Sequence, residues 1–189
     1  TLKNQLRHTL RGERRFPFVM MLEPLYTCSL ACLGCSTERH TGKLADRLSV
    51  ERCLEAVGAC GAPIVSICGG EPPLYPELPE LVDSIIARRR STYLCTNAIT
   101  LDKAVFGRIA PNRRLFINVH LDGMRETHDK VCAREGVFDR AIEMIKESKR
   151  LGYQVLTNTT VFKETEIDEV EELCELLTDL KVDGMLISP

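Results

Sequence analysis

The sequence has no excess of charge of either sign: 25 lysines and arginines stand against 27 aspartates and glutamates, a formal net charge of -2. Such a balance gives no overall field to hold a polyanion, so nucleic acid is not expected as a partner. No apolar run approaches the roughly 20 residues of a membrane-crossing helix; the longest, from Phe16 to Leu22, is broken by Pro17. The amino end lacks the basic stretch and apolar core of a secretory signal. A soluble, cytoplasmic chain is expected. A disulfide framework is missing too, because the nine cysteines are an odd number scattered through helical and strand-like patterns rather than spaced to staple loops. In a reducing compartment such thiols stay available for metals or for chemistry.

What is present suffices for a packed core: 189 residues, 44% of them hydrophobic. Leu2, Leu6 and Leu10 recur at four-residue spacing among Lys3, Arg7, Arg11, Arg14 and Arg15, which predicts a short basic helix over residues 1–15 ahead of a core domain over 16–189. That helix could rest on anionic headgroups at the inner face of a membrane. In the core, strand-like runs cover Phe18 to Glu23, Ile64 to Cys68, Thr92 to Cys95, Leu115 to Leu121, Gln154 to Thr160 and Met185 to Ser188. Helical patterns lie between them, at Val50 to Ala59, Glu77 to Arg89, near Lys103 to Ile109, Val137 to Leu151 and Glu166 to Leu180. Strand and helix alternate about six times, and runs such as Ile64-Val-Ser-Ile-Cys68 are apolar toward both faces, which predicts an α/β fold: a parallel sheet wrapped by helices, barrel-like or doubly wound. The pattern stops at Pro189, directly after the sixth strand, so a piece of a longer protein is expected. In such sheets ligands gather at the carboxyl ends of the strands.

At the first of those ends lies Cys28-Ser-Leu-Ala-Cys32-Leu-Gly-Cys35. Three thiolates at these gaps can converge from one tight loop, and Gly34 lets the backbone approach closely. Four-iron electron-transfer clusters take four cysteines, so three leave one iron open to an exchangeable ligand, which suggests catalysis. The rival is a structural Cys3His zinc site with His40 as its fourth ligand, supporting a binding module rather than an enzyme. After the second strand comes Gly69-Gly70-Glu71-Pro72, where a turning pair of glycines exposes backbone groups beside a carboxylate. The fourth strand ends in Asn118-Val-His120-Leu-Asp122, whose three polar residues share one face. On a buried strand they ask for a ligand.

The three-cysteine spacing resembles that of the radical S-adenosylmethionine (radical SAM) superfamily, and the likeness covers nearly the whole length of the chain. The resemblance implies a partial TIM-type barrel of about six βα units holding a [4Fe-4S] cluster on Cys28, Cys32 and Cys35. It implies S-adenosylmethionine as a second cofactor, cleaved to a 5′-deoxyadenosyl radical with an electron from a reductant protein such as flavodoxin or ferredoxin. Gly69, Gly70, Glu71 and Pro72 are similar to the family's GGEP motif for the methionine moiety, with Glu71 accepting from the cofactor's amino group. Asn97, Asp122, Asn158 and Ser188 stand where the family contacts the cofactor, as do Thr157, Thr159 and Pro189 more loosely, and His120 stands near the reacting centre. Many members carry an aromatic residue before the third cysteine; Gly34 departs from that, so adenine contacts must come from elsewhere.

Several phrases are similar to the adenosyl-hopene transferases of hopanoid biosynthesis, among them Met21-Leu-Glu-Pro-Leu25, Tyr93-Leu-Cys95-Thr-Asn97-Ala98, Val119-His-Leu-Asp-Gly123 and Thr157-Asn-Thr-Thr160. Departures fall at Ser36 to Thr41, Cys68 and Pro73. This resemblance implies addition of the radical to an alkene lipid and a hydrogen donor to quench the product, for which Cys95 at the end of the third strand is the candidate and Cys68 the second. Cys53, Cys60, Cys132 and Cys174, which fall in helices or loops, rank below Cys95 as donors. The alternative is hydrogen abstraction from a peptide or small metabolite.

Overall fold

In the computed structural model, which describes residues 9, 10, 12 and 15–189, the chain lays down six strands in spatial order identical to chain order. They are β1 (Val19–Leu22), β2 (Ile64–Ile67), β3 (Ser91–Thr96), β4 (Leu115–His120), β5 (Gln154–Thr160) and β6 (Gly184–Ser188). Every neighbouring pair is parallel, and the sheet curls into a half-barrel. Parallel neighbours need a crossover, and right-handed crossovers place the helices on the outer face. The helices are α1 (Glu38–Thr41), α2 (Val50–Cys60), α3 (Leu78–Ala87), α4 (Leu101–Ala104), α5 (Arg125–Val131), α6 (Val137–Arg150) and α7 (Ile167–Asp179).

Local chemistry fixes several boundaries. Ser49 caps α2 by accepting the main-chain N–H of Arg52, and Gly61 ends it in the left-handed conformation at φ 70°. Val65, Ile67, Leu94, Ile117, Val119 and Val155 point outward from the strands and pack against Val57, Leu81, Ile85, Ala141, Ile145 and Leu173 of the helices. Each such aliphatic side chain contributes about 1.5–3 kcal/mol on burial. The alternate residues Ser66, Cys95, Asn118, His120 and Asn158 therefore face the concave side.

The six strands and the four longer helices fall where the sequence pattern places them. The short helix expected near Lys103 to Ile109 instead occupies Leu101–Ala104: Gly107 turns the chain at φ 75°, and the Tyr153 hydroxyl pins the Ile109 carbonyl at 2.5 Å. Two short helices, α1 and α5, have no counterpart in the sequence reading. The basic helix rests mainly on residues 1–8, 11, 13 and 14, which lie outside the described residues. Among the described residues no helix is long and apolar enough to cross a membrane.

Candidate functional site

The cysteine loop leaves the end of β1 and is clamped from two sides. From one side comes Gly69-Gly70. The main-chain N–H of Gly70 donates to the Leu25 carbonyl at 3.0 Å, and that of Glu71 to the Thr27 carbonyl at 2.8 Å. A Cβ on Gly70 would lie 2.2 Å from the Thr27 oxygen, and one on Gly69, whose φ is +109°, would lie 2.5 Å from the Leu25 oxygen. The glycine pair thus makes room for the stem of the cysteine loop, and the N–H groups of Gly70 and Glu71 are engaged there. Pro72 follows in a buried 3-10 turn over Pro72–Leu74. From the other side the Leu33 N–H donates to the Val131 carbonyl at 2.8 Å, fastening the loop to the end of α5.

Glu71 points into the protein and is 2% exposed. Its carboxylate accepts the Thr96 hydroxyl on Oε1 and the Asn97 main-chain N–H on Oε2, the latter at 3.0 Å. Burial pushes its pKa up to about 7, against the pull of these two donors. Each oxygen keeps a second lone pair. Asn97 in turn aims Nδ2 at the Cys28 sulfur, 3.8 Å away, and accepts the Ile99 N–H at 3.0 Å. Glu71 and Asn97 thus link the end of β3 to the first cysteine.

All nine cysteines are free thiols. Burial pushes Cys28 up to about 11 and also raises Cys35, whereas a hydrogen bond from the Cys132 side chain brings Cys32 down to about 7. Cys132 itself is pushed up by the same hydrogen bond. The thiols of the loop suit an iron-sulfur cluster. They are three, half-buried or exposed, on one loop, and the Leu30 N–H and Asn97 Nδ2 already point hydrogen atoms at the Cys28 sulfur. Sulfurs that bind different irons of a cluster need not meet at one atom. Among the described residues no three His, Cys, Asp or Glu side chains stand close enough to surround a single ion, so the Cys3His zinc site with His40 on α1 is not assembled.

Beyond the cysteines, His120 and Asp122 meet at the end of β4, with Nε2 2.6 Å from Oδ2. Burial works against a charged ring there, yet the hydrogen bond and charge of Asp122 outweigh it and raise the His120 pKa. Oδ1 of Asp122 accepts the Thr160 N–H at 2.7 Å, tying β4 to β5. Asn118 is 6% exposed and donates Nδ2 to the Cys95 sulfur at 3.5 Å, while its Oδ1 has no hydrogen-bond partner. The Ser66 hydroxyl lies 3.3 Å from the same sulfur. Asn158, half-buried, pairs in register with His120, and Ser188 is exposed at the end of β6. Thr157 and Thr159 are buried on the opposite face of β5 and do not reach this side.

Two groups near the cysteines escaped the sequence reading. Cys132, ranked below Cys95 as a donor, is buried in a small cluster with Leu30 and Val137 against which Cys28 and Cys32 pack. Phe162, in the loop after β5, places its ring 3.4 Å from where a Gly34 Cβ would stand. An aromatic side chain thus lies beside the position that lacks one in sequence. No local signal marks either residue, because both reach the loop from distant elements.

The family model described as the Radical SAM superfamily matches residues 22–177. Curated relatives include the Fe-coproporphyrin III synthase of Methanosarcina barkeri, 25% identical over 158 residues, covering 82% of this chain and 39% of the relative. They also include the mycofactocin maturase MftC of Mycobacterium tuberculosis, 25% identical over 163 residues, covering 85% of this chain and 41% of the relative. Among solved structures, SuiB of Streptococcus suis bound to its precursor peptide SuiA superposes with a TM-score of 0.79 at 20% identity, over 98% of this chain and 43% of SuiB. SuiB bound to S-adenosylmethionine gives 0.75 at 22% identity, over the same shares of the two chains. The chain therefore spans less than half the length of these proteins.

Proposed function

The chain belongs to the radical SAM superfamily, whose members use a [4Fe-4S] cluster and S-adenosylmethionine, and from that membership we propose that it is the catalytic core of an enzyme that abstracts hydrogen from a peptide or small polar metabolite. One observation carries the choice of substrate class. The amide oxygen of Asn118 is buried on the concave face without a donor, beside Ser66, His120 and Asn158. A buried acceptor left open calls for an N–H or O–H from a ligand, which a peptide or polar metabolite supplies and a hopanoid ring system does not. None of the relatives and structures named above is described as acting on a hopanoid, and the likeness to adenosyl-hopene transferases gains no support from them.

When bound, the cluster and S-adenosylmethionine supply a carbon-centred radical for hydrogen abstraction. The chain's own residues divide the remaining work. Cys28, Cys32 and Cys35 hold the iron, and Asn97 steadies Cys28. Gly69, Gly70 and Pro72 keep the loop stem seated at the end of β2, with Glu71 bracing it against β3. Asp122 holds His120, which keeps a proton at Nε2 toward that carboxylate. Asn158 and Ser188 at the strand ends and Phe162 beside Gly34 would contact the cofactor, with the Phe162 ring available to an adenine. Electrons come from a reductant protein of the flavodoxin or ferredoxin kind. A basic segment at residues 1–15 would serve a lipid substrate at a membrane, which the open amide oxygen of Asn118 does not favour.

A second reading, addition to an alkene, rests on Cys95. Its sulfur faces the concave side between Ser66 and Asn118, whereas the Cys68 thiol is engaged with the Leu22 and Ser66 carbonyls at 3.7 Å. The nature of the product separates the two. Anaerobic turnover with cell-extracted peptides and metabolites is expected to release free 5′-deoxyadenosine carrying a hydrogen taken from substrate. Deoxyadenosine joined covalently to a heavier product, and lost in Cys95→Ala, overturns abstraction in favour of addition.

A further inference from the structure

The concave face carries a second kind of surface next to Asn118. Strand pairing draws one line across it, Met21 on β1, Ser66 on β2, Tyr93 on β3, Phe116 on β4 and Gln154 on β5, each in register with the next. Alternation puts this line on the same face as Cys95 and Asn118, which stand two residues further along β3 and β4. The packing agrees. Met20 and Leu22 on β1, Leu94 on β3 and Ile117 on β4 join the core under the helices, whereas Met21, Tyr93 and Phe116 belong to neither apolar cluster of the described residues. The rings of Tyr93 and Phe116 meet edge to face, with centroids 5.3 Å apart and planes at 73°. Both residues are half-buried, and Met21 is 63% exposed. Apolar surface left open in this way gains by burial against a ligand, and an aromatic pair offers it in a fixed geometry.

We propose that Tyr93 and Phe116 form a specificity shelf for a large apolar side chain, aromatic or long aliphatic, carried by the same peptide residue whose main-chain N–H is accepted by Asn118. The inference rests on the reading of Asn118 as the acceptor of a peptide substrate. Spacing selects the occupant. Asn118 lies two residues beyond Phe116 on one strand, a step of about 6.6 Å. A side chain of four or more carbons bridges that step from its own main-chain N–H, whereas those of Gly, Ala or Ser do not. A lipid lying on the shelf would leave the Asn118 amide oxygen without a donor, which a peptide residue supplies together with the apolar group. The shelf thus narrows the substrate class to a peptide with a bulky apolar residue at the point of contact.

The test uses the anaerobically reconstituted protein with S-adenosylmethionine and three capped tripeptides, Gly-Phe-Gly, Gly-Leu-Gly and Gly-Gly-Gly, whose affinities are read by ligand-observed nuclear magnetic resonance. Wild type is expected to bind the Phe and Leu peptides about tenfold tighter than triglycine. That preference is expected to disappear in Tyr93→Ala and Phe116→Ala and to persist in Tyr93→Phe, with folding followed by circular dichroism. Should an Ala variant unfold, Tyr93→Gln or Phe116→Gln, which fills the space with a polar group, decides in its place. Asn118→Ala is expected to weaken all three peptides and to leave the preference intact. No preference in wild type, or a preference unchanged in both shelf variants, overturns the inference. A wild-type dimer that Phe116→Ala converts to monomer gives the shelf to a second copy of the chain and overturns it too. Peptide affinities indifferent to Asn118→Ala overturn the reading of that acceptor itself, a result distinct from these.

Discussion

The residue with the most unusual environment is Glu71. Its carboxyl is raised from its ordinary 4.5 to about 7 by burial, so the folded protein holds this proton more tightly than the unfolded chain does. The stabilisation this gives is fully present below the unfolded value and is lost as pH rises through the folded one. The difference in urea midpoint between wild type and Glu71→Gln is expected to turn against wild type as pH rises from about 4.5 to 7; a difference that moves the other way contradicts the assignment. At low pH the protonated carboxyl and a glutamine amide each offer one acceptor oxygen for the Asn97 N–H, so Glu71→Gln is expected to cost little there. At this scale the sequence was most legible where partners are near neighbours. Cys28, Cys32 and Cys35 lie within one loop and their spacing alone groups them. Cys132 and Phe162 reach the same loop from the end of α5 and from beyond β5, and a pattern read along the chain carries no trace of such meetings. Glu71 was marked by its motif, but the motif does not show that its carboxylate is already engaged by Thr96 and the Asn97 N–H.

Among the elements, glycines separate conformational need from mere occurrence. Gly58 lies inside α2 with nothing within 4 Å of where a Cβ would stand, so Gly58→Ala is expected to stabilise the protein by about 0.5–1 kcal/mol in thermal or urea unfolding. Gly70→Ala meets the Thr27 carbonyl at 2.2 Å and is expected to destabilise by about 1–3 kcal/mol and to lower iron uptake, because the obstruction lies on the stem of the cysteine loop. Equal behaviour of the two variants in iron uptake would refute the clamping role given to the Gly69-Gly70 turn. The longer amphipathic helices α2, α3, α6 and α7, of ten residues or more, were legible from apolar periodicity. The short helices α1 and α5, with seven residues or fewer, offer too few turns for a period to show. They are held by contacts instead, as when α5 seats His128 under the end of β4.

For the molecule as a whole, sequential order of the six strands means that each βα unit adds to the edge left by the one before, so a regular alternation in sequence translates directly into the half-barrel. That regularity made the architecture readable before any contact was known. What the alternation does not specify is the composition of the concave face, where Cys95, Asn118, His120 and Asn158 gather from three strands by register alone. Cofactor cleavage by those strand ends together with the loop after β1 is tested most directly by anaerobic reconstitution with iron and sulfide, followed by dithionite and S-adenosylmethionine, counting the 5′-deoxyadenosine formed. Wild type is expected to hold about four irons per chain and to cleave the cofactor, with cleavage abolished in Cys28→Ala, Cys32→Ala and Cys35→Ala. Protein that binds one zinc ion in place of iron, or cleavage that survives loss of these thiols, would contradict the account.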